Sequence, residues 1–239
     1  MTTKPNKPKP RRRWWQFSLR TFFVLLTVAC VWFGWQTQRA RRQQRAVAAV
    51  RENSGTVYYN YEFERWYKSP TEEHSPTWFE QIVGIDFTCD VVRVDLNASP
   101  VSDVSFLAGL ASVRTLHLIG NQVSDITALS HMKDLETLYL TDTPVSNLAP
   151  LAELSHLRRL DLNNTPVVDI TPLAGLKNLE QLHLHFTQVH DVSALAGLTN
   201  LQYLNLVNTQ VSREQFEKLQ QALPNCDILG SPPSSDPSP

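Results

Sequence analysis

Residues 101–210 fall into five consecutive blocks of twenty-two with no insertion, VSDVSFLAGLASVRTLHLIGNQ, VSDITALSHMKDLETLYLTDTP, VSNLAPLAELSHLRRLDLNNTP, VVDITPLAGLKNLEQLHLHFTQ and VHDVSALAGLTNLQYLNLVNTQ. That period decides what the chain can fold into. One block cannot close a core alone, so each coil must bury its apolar residues against the coils before and after it. Leu116, Leu138, Leu160, Leu182 and Leu204 form one column, and Leu118, Leu140, Leu162, Leu184 and Leu206 follow two residues later. A spacing of two puts both columns on one face of an extended strand. Further apolar columns run Val113-Leu135-Leu157-Leu179-Leu201, Val123-Val145-Val167-Val189-Val211 and Leu107-Leu129-Leu151-Leu173-Leu195. Val91, Val94 and Leu96 lie one period before Val113, Leu116 and Leu118 and supply a partial first rung. About six strands stacked at ~4.8 Å make a parallel sheet of roughly 25–30 Å.

A period in the low twenties around an LxxLxL core is the leucine-rich-repeat signature. The expected fold class is α/β: a right-handed leucine-rich-repeat solenoid over 83–211, with its parallel sheet on the concave face, preceded by a single transmembrane helix. The blocks resemble the twenty-two-residue repeats of the bacterial internalin family, down to the rhythm of Asp169-Ile170-Thr171-Pro172-Leu173. The resemblance covers residues 91–211. It implies a non-catalytic protein that binds its partner through the concave strand face. One column departs from the family. Asn usually ends the strand there, but only Asn121 is present, with Ser99, Thr143, Thr165, Thr187 and Thr209 in the other places. A hydroxyl has one donor where an amide has two, so a weaker form of the ladder is expected.

The net charge of −1 hides a division: residues 1–45 carry eleven Lys and Arg and no acid, whereas residues 46–239 carry eleven against twenty-three Asp and Glu. An acidic repeat domain should repel nucleic acid, so none is expected as a partner. Residues 1–16 form a basic tail. The run 17–35, FSLRTFFVLLTVACVWFGW, spans ~28 Å as a helix, close to the hydrocarbon thickness of a bilayer. Trp14, Trp15, Trp32 and Trp35 bracket it as an aromatic belt, and Arg20 is its only charge. A cleaved signal peptide is the main rival, but Arg39, Arg41, Arg42 and Arg45 precede the first small-x-small tripeptide, Ala46-Val47-Ala48. Thr27-Val28-Ala29-Cys30 is a poor lipobox, and a solenoid has no place for a buried core helix. A retained single-pass anchor is the expected reading. Six basic residues before the span against four after it place the N-terminus in the cytoplasm and the repeats outside it.

Residues 36–82 read as a juxtamembrane helix, ended by Gly55, followed by a cap. The β-prone stretch 56–63 and a short helix near 76–83 with Trp78, Phe79 and Ile82 are expected to cover the first coil. Ser212-Arg-Glu-Gln215 is a capping box that opens a C-terminal cap helix within 212–229. The tail 230–239 is expected to be disordered. Cys30, Cys89 and Cys226 have no metal or disulfide spacing, and the last two fall at opposite ends of the array.

The outward strand positions vary where the inward ones do not. Arg93, Asp95, His117, Tyr139, Arg159, Asp161, His183, His185 and Tyr203 form the expected binding face, for an unidentified protein or cell-envelope ligand. No cofactor is expected, and no nucleophile elbow, HExxH or phosphate loop occurs. The one alternative is a metal-dependent hydrolase built on His183, His185 and Asp161. His131 and His156 belong to the outer side of the coils.

Overall fold

The computed structural model describes residues 19–60 and 89–230. The chain divides into two compact units, Met1–Gln38 and Arg39–Pro239. In the first, helix α1 (Leu19–Glu52) begins with a stretch whose large apolar side chains, Leu19 through Trp35, are exposed. It alone among the described residues is long and apolar enough to cross a membrane.

The second unit is the solenoid. Strands β1 (Thr56–Tyr59), β2 (Val91–Asp95), β3 (Thr115–His117), β4 (Thr137–Tyr139), β5 (Arg159–Asp161), β6 (Gln181–His183), β7 (Tyr203–Asn205) and β8 (Asp227–Leu229) form one sheet in sequence order. From β2 onward every pair is parallel, and from β2 to β7 the register is the one set by the period, with Val94, Leu116, Leu138, Leu160, Leu182 and Leu204 side by side. These leucines, and the Leu118 column beyond them, are buried. Strands β3 to β8 are only three residues long because the coil must turn back within twenty-two. The turn side is made of short 3-10 segments, such as Thr127–His131 and Thr171–Gly175, which sink Leu129 and Leu173 into the core.

A recurring Asp or Asn holds each of these segments. Asp103, Asp125, Asn147, Asp169 and Asp191 accept a hydrogen bond from the backbone N–H two residues on, at 2.7–3.0 Å. These are Asx turns, which pre-form the 3-10 entry. Hydrogen bonds from Thr127 and Thr171, side chain first and backbone second, hold Asp125 and Asp169 below the usual carboxylate value, and the Ser193 backbone N–H does the same for Asp191.

The column that replaces Asn does not form the expected inter-coil ladder. The hydroxyls of Thr143, Thr165, Thr187 and Thr209 each donate to the carbonyl three residues back, at 2.6–2.7 Å, within their own coil. Each hydroxyl has a single proton, which goes to that carbonyl. Inter-coil amide bonds come instead from Asn97 and Asn163, whose Oδ1 atoms accept from Ile119 and His185 N–H one coil on.

Helix α1 covers the open end of the first coil with its last turns. Ala46, Val47 and Val50 join the solenoid core, Gln43 donates to the Cys89 carbonyl, and Arg39 pairs with Asp90 and Ser112. The left-handed residue after the helix is Ser54, not Gly55. Gly55 is required for another reason: a Cβ there would sit 2.7 Å from Val50 Cγ1 and 2.9 Å from the Asp95 carbonyl oxygen. β1 then runs antiparallel to β2 and closes that edge of the sheet. The aromatic stretch around Trp78 and the tail after Gly230 lie outside the described residues, as do Phe17 and Ser18 of the apolar run.

At the other end, helix α2 (Arg213–Ala222) buries Leu219. Its capping box is half formed. Ser212 Oγ accepts from Gln215 N–H at 3.3 Å, but the Gln215 side chain accepts from Val192 N–H instead, tying α2 to the last coil. β8 adds a rung that the period does not announce, because Ile228 follows Leu204 by twenty-four residues rather than twenty-two. Cys89 is buried in the first coil and Cys226 half-buried near the last, where burial pushes its thiol up to about 11.

Candidate functional site

Alternation along three-residue strands sends the middle residue into the core and its two neighbours outward. The structure therefore brings two outward rows into register. One is Arg93, Thr115, Thr137, Arg159, Gln181 and Tyr203, and the other is Asp95, His117, Tyr139, Asp161, His183 and Asn205. Eight of the nine expected face residues lie in these rows. The ninth, His185, does not. β6 ends at His183, the chain turns, and the His185 ring donates to the neighbouring coil, with Nδ1 3.0 Å from the Val207 carbonyl oxygen. The carbonyl can only accept, so Nδ1 carries the proton in that contact.

The outward side chains hold one another. At the centre, Arg159 Nε donates to Gln181 Oε1 at 2.7 Å, its Nη2 reaches the same oxygen, and Nη1 donates to Tyr139 Oη at 3.0 Å. Asp161 accepts from the Thr141 hydroxyl at 2.8 Å and the Asn163 N–H at 3.0 Å. The His117 ring lies 4.6 Å from that of Tyr139, and the His183 ring 5.1 Å from that of Tyr203. Toward the N-terminal end, His117 Nδ1 is 3.8 Å and Arg93 Nη2 3.6 Å from the Asp95 carboxylate. Arg93 also lies over the Tyr58 ring, 5.3 Å from its centroid. Tyr58 is a face residue missed from the sequence. Val57 and Tyr59 point inward on β1, so alternation alone marks Tyr58 as outward.

Partial burial holds both ring-stacked histidines below the ordinary imidazole value. For His117 the Arg93 charge adds to this and Asp95 opposes it; for His183, Asp161 opposes burial and Arg159 adds to it. Both are neutral at pH 7. The face thus carries two guanidinium groups and two carboxylates on a domain that is otherwise strongly acidic.

The metal alternative finds no support in this geometry. Among the described residues no three His, Cys, Asp or Glu side chains come together to hold an ion. The ring of His185 is turned to the Val207 carbonyl and packs on Phe186, with centroids 4.1 Å apart. A cleft lined by Val192, Ala196, Gln215, Lys218 and Leu219 lies between the last turn segment and α2, away from the strand face.

Residues 111–153, 133–175, 155–197 and 177–225 match the family model described as leucine-rich repeats in two copies. Among solved structures, internalin C2 of Listeria monocytogenes is similar with 35% identity and a TM-score of 0.54, over 57% of this chain and 60% of that one. Internalin F of the same organism is 31% identical with a TM-score of 0.56, over 58% of this chain and 40% of that one. The coils are leucine-rich repeats and are similar to those of the internalins. A leucine-rich-repeat protein of Leptospira interrogans shares the fold at 26% identity and a TM-score of 0.50, over 52% of this chain and 33% of that one. The chain thus spans 60% or less of the length of each of these structures. No curated protein matches its sequence. The similarity agrees with the boundaries of the repeats, since the matched residues begin within the coil that carries β3 and end in the C-terminal cap.

Proposed function

We propose that this protein is a membrane-anchored binding module that captures a protein or cell-envelope ligand on its strand face and catalyses no reaction. The observation that carries the reading is the Tyr139–Arg159–Gln181 cluster in the two central rows. Tyrosine and arginine supply most of the binding energy at protein interfaces when they sit near the centre of a patch. Here their side chains are already ordered by mutual hydrogen bonds, which lowers the entropy cost of ordering them on binding. The neutral histidine rings beside them, stacked on Tyr139 and Tyr203, add area that is inexpensive to desolvate.

Anchoring is supported by the exposed apolar surface of α1 between Leu19 and Trp35, which water would not tolerate. It is also supported by the fate of Ala46-Val47-Ala48. Ala46 and Val47 are core residues of the solenoid cap, so cleavage there would open the first coil. The expected orientation, with the repeats outside the cytoplasm, follows from the charges flanking the span.

The test compares columns. Tyr139→Ala combined with Arg159→Ala weakens ligand capture at least about tenfold, or 1.4 kcal/mol, with an unchanged circular dichroism spectrum. His131→Ala with Lys177→Ala, on the turn side, leaves capture intact. Loss of capture in the second variant and not the first would place the interface on the other side of the coils.

A further inference from the structure

One position in each coil adopts the left-handed backbone: Ala98, Gly120, Asp142, Asn164, Phe186 and Asn208, with φ between 51° and 71°. The fold imposes it. In this conformation the N–H of Ala98, Gly120, Asp142, Asn164 and Phe186 donates to a carbonyl of the next coil, at 2.7–3.2 Å. Glycine, asparagine and aspartate accept such a φ at low cost, and four of the six residues are of these types. A phenylalanine does not, and at Phe186 the strain is not repaid by burial. Phe186 is 56% exposed, the most exposed large apolar side chain among the described residues outside α1. Its partner in the fold is the His185 ring, itself fixed to the Val207 carbonyl. The same coil carries a second departure: Val168, also exposed, stands where the other coils have Ser102, Ser124, Ser146 and His190.

A residue that strains the backbone and exposes an aromatic ring to water works against the fold, so its use lies outside the fold. We propose that Phe186 is a partner-binding anchor, extending the strand face past the end of β6, and that the partner is a protein that receives the ring in an apolar pocket. The inference rests on the strand-face reading above. His185 is the positioning residue: its ring, held by the Val207 carbonyl, sets the direction in which Phe186 projects. A glycan or an ion offers no apolar pocket and would have no use for this side chain.

Two measurements test the assignment. Phe186→Asn, which copies the flanking coils, should raise the melting temperature by ~2–4 °C, because the replacement relieves strain and uncovers nothing. A lower melting temperature would show that the fold needs the ring and would overturn the proposal. In the second, a photoreactive benzoylphenylalanine replaces Phe186, Tyr139 or His131 in the full-length protein, in membranes of the cell that makes it. The expected result is one protease-sensitive adduct of the same mass from positions 186 and 139, and none from 131. An adduct from 139 without one from 186 overturns the role of Phe186 and leaves the strand face standing. No adduct from either position, or a protease-resistant one from both, removes the strand-face protein interface as well.

Discussion

Leu160→Ala is the substitution whose effect can be worked most directly from the structure. Leu160 sits on β5 with Leu138 and Leu182 as its register partners, and all three are fully buried. The coils on either side are held by backbone hydrogen bonds, such as Arg158 N–H to the Glu136 carbonyl and Glu180 N–H to the Arg158 carbonyl, both 2.8 Å. The walls therefore cannot close over the space that a lost isobutyl group leaves, which puts the cost in the middle or upper part of the ~2–5 kcal/mol range for such changes. For a domain of this size ~3–4 kcal/mol corresponds to a fall in melting temperature of ~6–16 °C. Arg159→Ala, one residue earlier, breaks hydrogen bonds to Gln181 and Tyr139 on a half-exposed face where water can replace them. It should cost under about 1 kcal/mol. Thermal denaturation of the two variants, followed by circular dichroism in the same detergent, gives the comparison. Equal losses would mean that residue 159 shares the core with residue 160, and the inward and outward assignment of every strand would fail with it.

The cap gives a second test: Val50→Asp, which buries a carboxylate at a fully enclosed site, should lower the melting temperature by at least ~10 °C, and retention of the wild-type value would show that α1 does not cap the array. Acid sensitivity gives a third. Asp125, Asp169 and Asp191 titrate below their unfolded value, so the stability they contribute is present above about pH 4 and is lost as pH falls through the lower folded values. Asn147 already holds the same turn, so the triple Asp→Asn variant should keep its fold and lose less stability than wild type between pH 5 and pH 3 (values set by about the carboxylate range); an unchanged slope would show that these turns do not couple to protonation. For the anchor, the full-length protein should stay with the membrane after alkaline carbonate washing and keep its N-terminal residues, and a soluble form beginning beyond residue 36 would identify a removable signal instead.

Much of this molecule was legible in its sequence, for a physical reason. In a solenoid each coil contacts only its neighbours, so one period fixes the register of every strand and the inward columns with it. The paired leucine columns, the parallel order and the two outward rows followed from counting in twenty-twos. What counting could not supply lay where the period stops or where two elements meet. β8 escaped notice because the cap helix shifts Ile228 out of phase. The use of Ala46, Val47 and Val50 as core residues depended on the last turns of α1 joining the core of the coils, and nothing local distinguishes that packing from an ordinary juxtamembrane helix. His185 follows His183 by two and shares its outward side, but the three-residue strand ends before it. Its ring turns to the neighbouring coil instead. The strain at Phe186 emerged only from the tertiary structure, since a left-handed backbone is imposed by hydrogen bonds to the next coil and not by the residue that must adopt it.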